Sequence, residues 1–367
     1  MISAHPDLWV VGGGIVGAAI ACEATQAGLR VGLVSASTPG VAGATAAGMG
    51  HLVTLDEPVA ERALCVHSLA LWEDWVHEPG AEFSRCGTLW LAETEAELTE
   101  LSAKRRRLAE VGVPTEELAG RDLPALEPLL RTGLAGALRA PRDAVVYAPR
   151  VARTLVQRAQ ARGALLHIGT PVAEVGAGTV RLADGRVLQG GAVVVAAGLA
   201  SGALLLGLRF TPRKGQLVIT DRYPGQLRHQ VVEVGYGASA HGSGASVAFN
   251  VSPRPTGQIL VGSSRQPGAA DTAIDAPLLG RMLTRAFAFM PALAQLTALR
   301  SWAGVRPGTP DGQPYIGAMP GRPGLWVAAG HEGLGITTAL GTARLLVQML
   351  RGVTPDIDMA PYAPGRA

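Results

Sequence analysis

Asp7-Leu8-Trp9-Val10-Val11-Gly12-Gly13-Gly14-Ile15-Val16-Gly17 is the stretch from which the rest of the chain is best understood. Its first half is a short apolar run suited to the middle of a parallel sheet, and glycines at 12, 14 and 17 follow without a spacer. Small residues from about Gly14 to Ala27 suit a closely packed helix that Gly28 ends, and Arg30-Val31-Gly32-Leu33-Val34 reads as a second strand. Strand, glycine turn, helix and strand in that order make a βαβ unit in which missing side chains let a pyrophosphate reach a helix N-terminus. A tight strand–helix turn without any ligand would use similar glycines, so the spacing alone leaves both readings open. Where such units commonly end the second strand with an acidic residue for a ribose hydroxyl stands Ser35, and no arginine follows to suit a 2′-phosphate. A serine hydroxyl still bonds ribose, more weakly.

At 367 residues the chain is long enough for two domains at about 100–200 residues each. Hydrophobic residues are 48% against 17% charged, and the 48 Gly and 25 Pro are scattered, which excludes a collagenous or disordered chain. The formal charge is only +3, and lysine occurs only at Lys104 and Lys214, which excludes a dedicated nucleic-acid surface. The one basic run, Lys104-Arg105-Arg106-Arg107, follows Glu93, Glu95, Glu97 and Glu100 and reads as the solvated face of a helix. Cys22, Cys65 and Cys86 form neither a CxxC pair nor a metal spacing, so no metal site is expected and a reducing cytoplasm is the expected compartment. No cationic segment precedes an apolar core at the N-terminus, so no secretory signal is expected. Gly190 to Leu208 is uncharged enough to resemble a membrane span, yet its glycines divide it into strand, turn and short helix.

Further along, Pro58 to about His77 has helical apolar spacing with Trp72 and Trp75 on one side, and Gly87 to Ala92 reads as a strand before a helix from Glu93 to Gly112. A helix at Val151 to Arg162 leads into the strand Leu165–Ile168, a hairpin from Val172 to Leu188 with Ala183-Asp184-Gly185 at its tip, and a buried strand Ala192–Ala196. Gly215–Thr220, Ala245–Val251 and Gln258–Gly262 are strand-like, with one helix near Leu278 to Phe289, which suits an antiparallel sheet. A last strand, Gly324–Ala329, and helix, Ile336–Arg351, complete the chain.

Gly43-Ala44-Thr45-Ala46-Ala47-Gly48-Met49-Gly50-His51 is too rich in glycine for a good helix interior, and its backbone is expected to pack against something flat. Together with Gly12–Gly17, Val193–Gly198, Ser301-Trp-Ala-Gly-Val-Arg-Pro-Gly-Thr-Pro-Asp-Gly-Gln-Pro-Tyr-Ile-Gly317 and Ala329-Gly-His-Glu-Gly-Leu-Gly-Ile-Thr337, this run resembles the D-amino-acid oxidase family of FAD enzymes. The resemblance spans nearly the whole chain and is nearest to the glycine oxidase and D-hydroxyproline dehydrogenase branch. It implies an α/β fold: a Rossmann-like FAD-binding domain of glutathione-reductase type with a second, mostly antiparallel substrate domain. The expected division is 1–80, 145–208 and 303–367 for FAD, and 81–144 and 209–302 for substrate. The flavin contacts it implies are Gly12, Gly14, Ile15, Val16, Gly17, Ser35, Ala44, Thr45, Ala47, Gly48, Met49, Val172, Ala197, Gly198, Arg306, Gly333, Leu334, Gly335, Ile336 and Thr337. The sister sarcosine oxidases tether flavin through a cysteine where Gly304 stands, and carry a lysine where Gly335 stands, so the FAD is expected to be non-covalent.

By the same resemblance Arg306 matches the arginine that grips the substrate carboxylate, a grip a planar guanidinium makes bidentate. Its setting reads as a buried, proline-rich loop, while Asp311-Gly312 reads as turn chemistry. The amides before the C-terminal helix can face the flavin where negative charge develops. His331 and Glu332 are candidate catalytic residues there, and both are equally at home as structural ones. His51 is a further catalytic candidate, and with Met49 it shapes the substrate pocket unless the two are simple packing. Asn250 falls near the place where glycine oxidases have a tyrosine and is a substrate-binding candidate. Lys214 reads as a solvated charge. The expected reaction is oxidation of a small D-amino or cyclic imino acid, cis-4-hydroxy-D-proline or D-proline, by hydride transfer from Cα to flavin N5. Oxygen or a quinone-type acceptor would complete the turnover, and the chain could assemble with copies of itself. Glycine or sarcosine-type oxidation is the alternative within the family, and a non-catalytic dinucleotide sensor the alternative outside it.

Overall fold

Two sheets organise the chain, and the reason for each lies in which faces of its strands are apolar. A computed structural model describes residues 5–235 and 244–366. The first sheet has six strands in the order Tyr315–Ala318, Leu325–Ala329, Ala192–Val195, Leu8–Val11 (β1), Val31–Ser35 (β2) and Leu165–Ile168. All its neighbours pair in parallel except Tyr315–Ala318, which runs antiparallel to Leu325–Ala329. In β1, Leu8 and Val10 pack with the helices on one side, while Trp9 and Val11 pack with a small antiparallel sheet on the other. Burial on both faces explains the unbroken apolar run of this strand.

The helical layer consists of Ile15–Gln26 (α1) with Ala148–Ala161 and Ala339–Leu350, each of which packs against α1. Helix α1 is buried almost all round, so Ala18, Ala19, Ala21 and Ala24 keep it slim enough to sit between two neighbours. The opposite layer is a meander of Val172–Gly176, Thr179–Leu182 and Val187–Gln189, three strands where a single hairpin is expected from sequence.

The second sheet has eight strands, in the order Ala298–Gly308, Thr211–Arg222, Gln258–Pro267, Ser246–Pro253, Gln230–Glu233, Thr88–Ala92, Gly136–Ala140 and Glu116–Ala119. Only Gln230–Glu233 and Thr88–Ala92 pair in parallel. Helix Ala276–Phe289 closes one face, with Phe289 stacked on Phe249 at 4.5 Å between ring centroids. No helix among the described residues is long and apolar enough to cross a membrane.

Several local expectations need correction. The small-residue run forms a short helix, Gly43–Ala47 (α2), because tertiary contacts outweigh the poor propensity of its glycine. Arg306 lies on the strand Ala298–Gly308, not in a loop. The helix over the tryptophans spans Val59–Trp72 (α3) and tightens to a 3₁₀ turn at Glu73–Trp75, and the C-terminal helix begins only at Ala339. Lys104 is buried, not solvated: it pairs with Asp56, and its ammonium stands 4.0 Å from the centre of the Trp90 ring. Arg107 donates to the same carboxylate at 2.9 Å from Nε. Lys214 is likewise only 4% exposed and pairs with Asp271 at 2.6 Å. In each case an acid from a distant segment partners a lysine that the fold buries; the Asp56 side chain is itself largely buried, whereas that of Asp271 stays exposed.

Candidate active site

The glycines of the β1–α1 turn divide by what a side chain would strike. A Cβ on Gly12 would lie 2.3 Å from the Ala196 carbonyl oxygen, and one on Gly17 would lie 2.0 Å from the Gly12 oxygen. Those two let strand, turn and helix close on one another. On Gly14 the nearest atom would be Thr45 Oγ1 at 3.3 Å, so its open side faces the cleft. No acidic side chain stands in the first turn of α1 to oppose an anion, and the Ile15 amide donates to Thr45 Oγ1 at 3.0 Å. At the end of β2, Ser35 donates to the Ser37 carbonyl at 2.6 Å and presents hydroxyl oxygen to the same cleft.

Helix α2 forms the floor between the two sheets. Thr45 ties it to α1, and Trp302 Nε1 donates to the Ala47 carbonyl at 3.1 Å. A Cβ on Gly304 would stand 2.3 Å from the Ala47 Cβ, so α2 rests directly on the strand Ala298–Gly308. The cleft that results measures about 400 Å³ and runs from Ser35 past Gly14 and α2 to Met49, His51, Asn250 and Arg306.

At its far end the Arg306 guanidinium lies over Gly215, where a Cβ would come within 2.5 Å of Nη1. Nη1 donates to the Ser264 carbonyl at 3.4 Å, and no carboxylate lies within salt-bridge distance among the described residues. Asn250 is 3% exposed, and its Oδ1 is buried with no partner among the described residues. His51, on the two-residue strand His51–Leu52 (β3), likewise has Nε2 buried with no partner among the described residues. Burial first and the Arg306 charge second push the His51 imidazole down to about 4, so it is neutral. Met49 and Leu217 supply the apolar wall.

In the turn before the C-terminal helix, burial also holds His331 at about 4, and its Nε2 meets Thr342 Oγ1 at 3.0 Å. Glu332 adopts a left-handed backbone, φ 47°, and its Oε1 stands 3.2 Å from Arg265 Nη2. Burial and the Glu332 charge together push Glu61 up to about 7. Thr337 acts as a bolt: its hydroxyl donates to the His51 carbonyl at 2.9 Å, and its carbonyl accepts from Ser68 and Trp72.

Of the residues singled out from sequence, Gly17, Leu334 and Thr337 do not line the cleft, and the others do. Gly215, Leu217, Ser263 and Ser37 also line it and were not expected there. A glycine inside a strand, as at 215, is the one sequence signal of close approach that could have pointed to them.

The family described as DAO, FAD dependent oxidoreductase, matches residues 7–349. The chain belongs to this family. It is 31% identical to a glycine oxidase of Geobacillus kaustophilus over 97% of this chain and 96% of the relative. It is 33% identical to one from Pseudomonas aeruginosa, with 97% of each covered. A D-amino acid dehydrogenase of Methylobacterium sp. is 31% identical over 76% of this chain and 67% of that protein. Among solved structures, the Geobacillus kaustophilus glycine oxidase superposes with a TM-score of 0.86 at 30% identity, covering 99% of both chains. FAD suits this DAO-family cleft: the open side of Gly14 leaves a path to the α1 N-terminus, and Val16, Val172 and Ile336 offer apolar walls.

Proposed function

We propose that this DAO-family enzyme oxidises a small D-amino or cyclic imino acid at its Cα–N bond, with cis-4-hydroxy-D-proline preferred. The observation that carries this reading is the set of unsatisfied groups at one end of the cleft. Among the described residues Arg306 has no counter-ion, and His51 Nε2 and Asn250 Oδ1 are buried without partners beside the apolar Met49 and Leu217. Buried polar groups left unpaired cost about 1–3 kcal/mol each, so the ligand is expected to satisfy them. A carboxylate answers Arg306, an amine nitrogen answers His51, and a ring hydroxyl answers Asn250, with the ring carbons on the apolar wall. When bound, FAD supplies the acceptor for the hydride leaving Cα. The chain's own residues bind and orient: the Arg306 fork fixes the carboxylate, which sets the direction of the Cα–H bond. The names of the relatives, glycine oxidase and D-amino acid dehydrogenase, support an amino-acid substrate.

Glycine oxidation is the second reading, favoured by the 31% and 33% identities. Glycine would leave Asn250 Oδ1 and the apolar wall unmet. The test is anaerobic bleaching of the flavin by cis-4-hydroxy-D-proline, D-proline, glycine and sarcosine, followed by turnover with oxygen and with a quinone-type dye. Hydroxyproline should exceed D-proline by about tenfold in kcat/KM, and Asn250→Ala should erase most of that margin. Faster reduction by glycine or sarcosine would replace this reading with the second.

A further inference from the structure

The titratable side chains lining the cleft, among the described residues, are His51, Arg306, His331 and Glu332. Glu332 is held in an ion pair with Arg265 at 3.2 Å, although its Oε1 makes no hydrogen bond among the described residues, and His331 Nε2 meets Thr342 Oγ1 at 3.0 Å. A guanidinium cannot accept a proton. His51 remains, with Nε2 buried, unpartnered and beside the expected carboxylate anchor. Its strand is held in place, because Thr337 Oγ1 donates to the His51 carbonyl at 2.9 Å and accepts from the Val53 amide at 3.3 Å.

We propose that His51 Nε2 takes the ammonium proton of the bound substrate, a step resting on the amino-acid reading above. The N–H bond breaks, its proton goes to Nε2, and its electron pair becomes the nitrogen lone pair. Bound FAD would supply the acceptor for the Cα–H pair, and the freed nitrogen lone pair would close the C=N bond of the iminium product. The proton on His51 returns to solvent when the product leaves. Burial first and the Arg306 charge second make the free imidazole a poor base, and a seated carboxylate would offset the second of these, raising its basicity when substrate is in place. The other charged groups around this end are Glu332 with its partner Arg265, and behind them Glu61 and Arg213.

The experiment is anaerobic stopped-flow reduction of the holoenzyme by cis-4-hydroxy-D-proline across pH. His51→Gln keeps a polar amide but no base, and should slow reduction at about pH 7 by roughly 10²–10⁴-fold. The deficit should shrink toward about pH 10, where the substrate amine is already free in solution. Imidazole should partly rescue His51→Ala, with flavin content and pyrrole-2-carboxylate binding reporting that the pocket is intact. In the wild type, the reduction rate should fall with acid only below an apparent pKa lying under that of the substrate ammonium. A loss of less than threefold, a loss equal at every pH, or a wild-type profile that tracks the free ammonium would overturn the assignment. If glycine reduces the enzyme and hydroxyproline does not, the substrate reading fails on its own, and the His51 comparison is run with glycine.

Discussion

At the scale of single residues, Arg306 and Gly215 have to be considered together, because the guanidinium occupies the space where a Gly215 side chain would stand. That contact carries the arginine across the neighbouring strand to the Ser264 carbonyl on the next one, close to the strand that bears Asn250. Removing one partner of a buried charged pair costs about 2–5 kcal/mol, so Arg306→Ala should lower kcat/KM by roughly 30-fold to several thousandfold while flavin stays bound. Arg306→Lys keeps the charge without the fork and should fall between. The loss should appear in kcat as well as KM, since misplacement by about 1 Å can cost on the order of 10²-fold. Unchanged kcat/KM in both variants on the best substrate would remove Arg306 from the anchor role.

Among the elements, the five-residue helix α2 depends most on its surroundings. It is pinned by Thr45 to α1, by Trp302 to its own last carbonyl and by the bare Gly304 beneath Ala47. Gly304→Cys should therefore not create a flavin tether. It should push α2 away from the strand, and the purified protein should hold visibly less flavin per chain than the wild type, by absorbance. Full occupancy with flavin linked to the new thiol would contradict that. The same element shows where reading from sequence stops. Strands such as β1 are legible because both faces are buried and apolar, and the glycine turn is legible because its spacing follows from backbone contact. Helix α2 is not, since no local propensity specifies it. Nor are the buried states of Lys104 and Lys214, whose acids stand 48 and 57 residues away in sequence. Motifs could propose Arg306, His51 and Asn250 as candidates. That His51 and Asn250 keep buried atoms without partners is visible only once three separate segments meet.

For the molecule as a whole, the cleft lies where the two sheets face each other, and no residue at Gly304 offers a covalent bond to its occupant. Acid precipitation of the yellow holoenzyme should leave the flavin in the supernatant, and a yellow pellet would refute non-covalent binding. Excess FAD should also raise the melting temperature, since ligand at 100 times its Kd adds about 2.7 kcal/mol to the folded state. The order of strands in the first sheet has a further consequence for how the protein is made. β1 and its glycine turn leave the ribosome before the other strands of this sheet, yet a neighbour of the central strand Ala192–Val195 is Leu325–Ala329, the last of them to be made. The nascent chain must carry an unfinished parallel sheet, with open strand edges, through most of its synthesis. A ribosome that stalls before Leu325 releases a chain with the nucleotide signature but without the complete sheet that gives it shape.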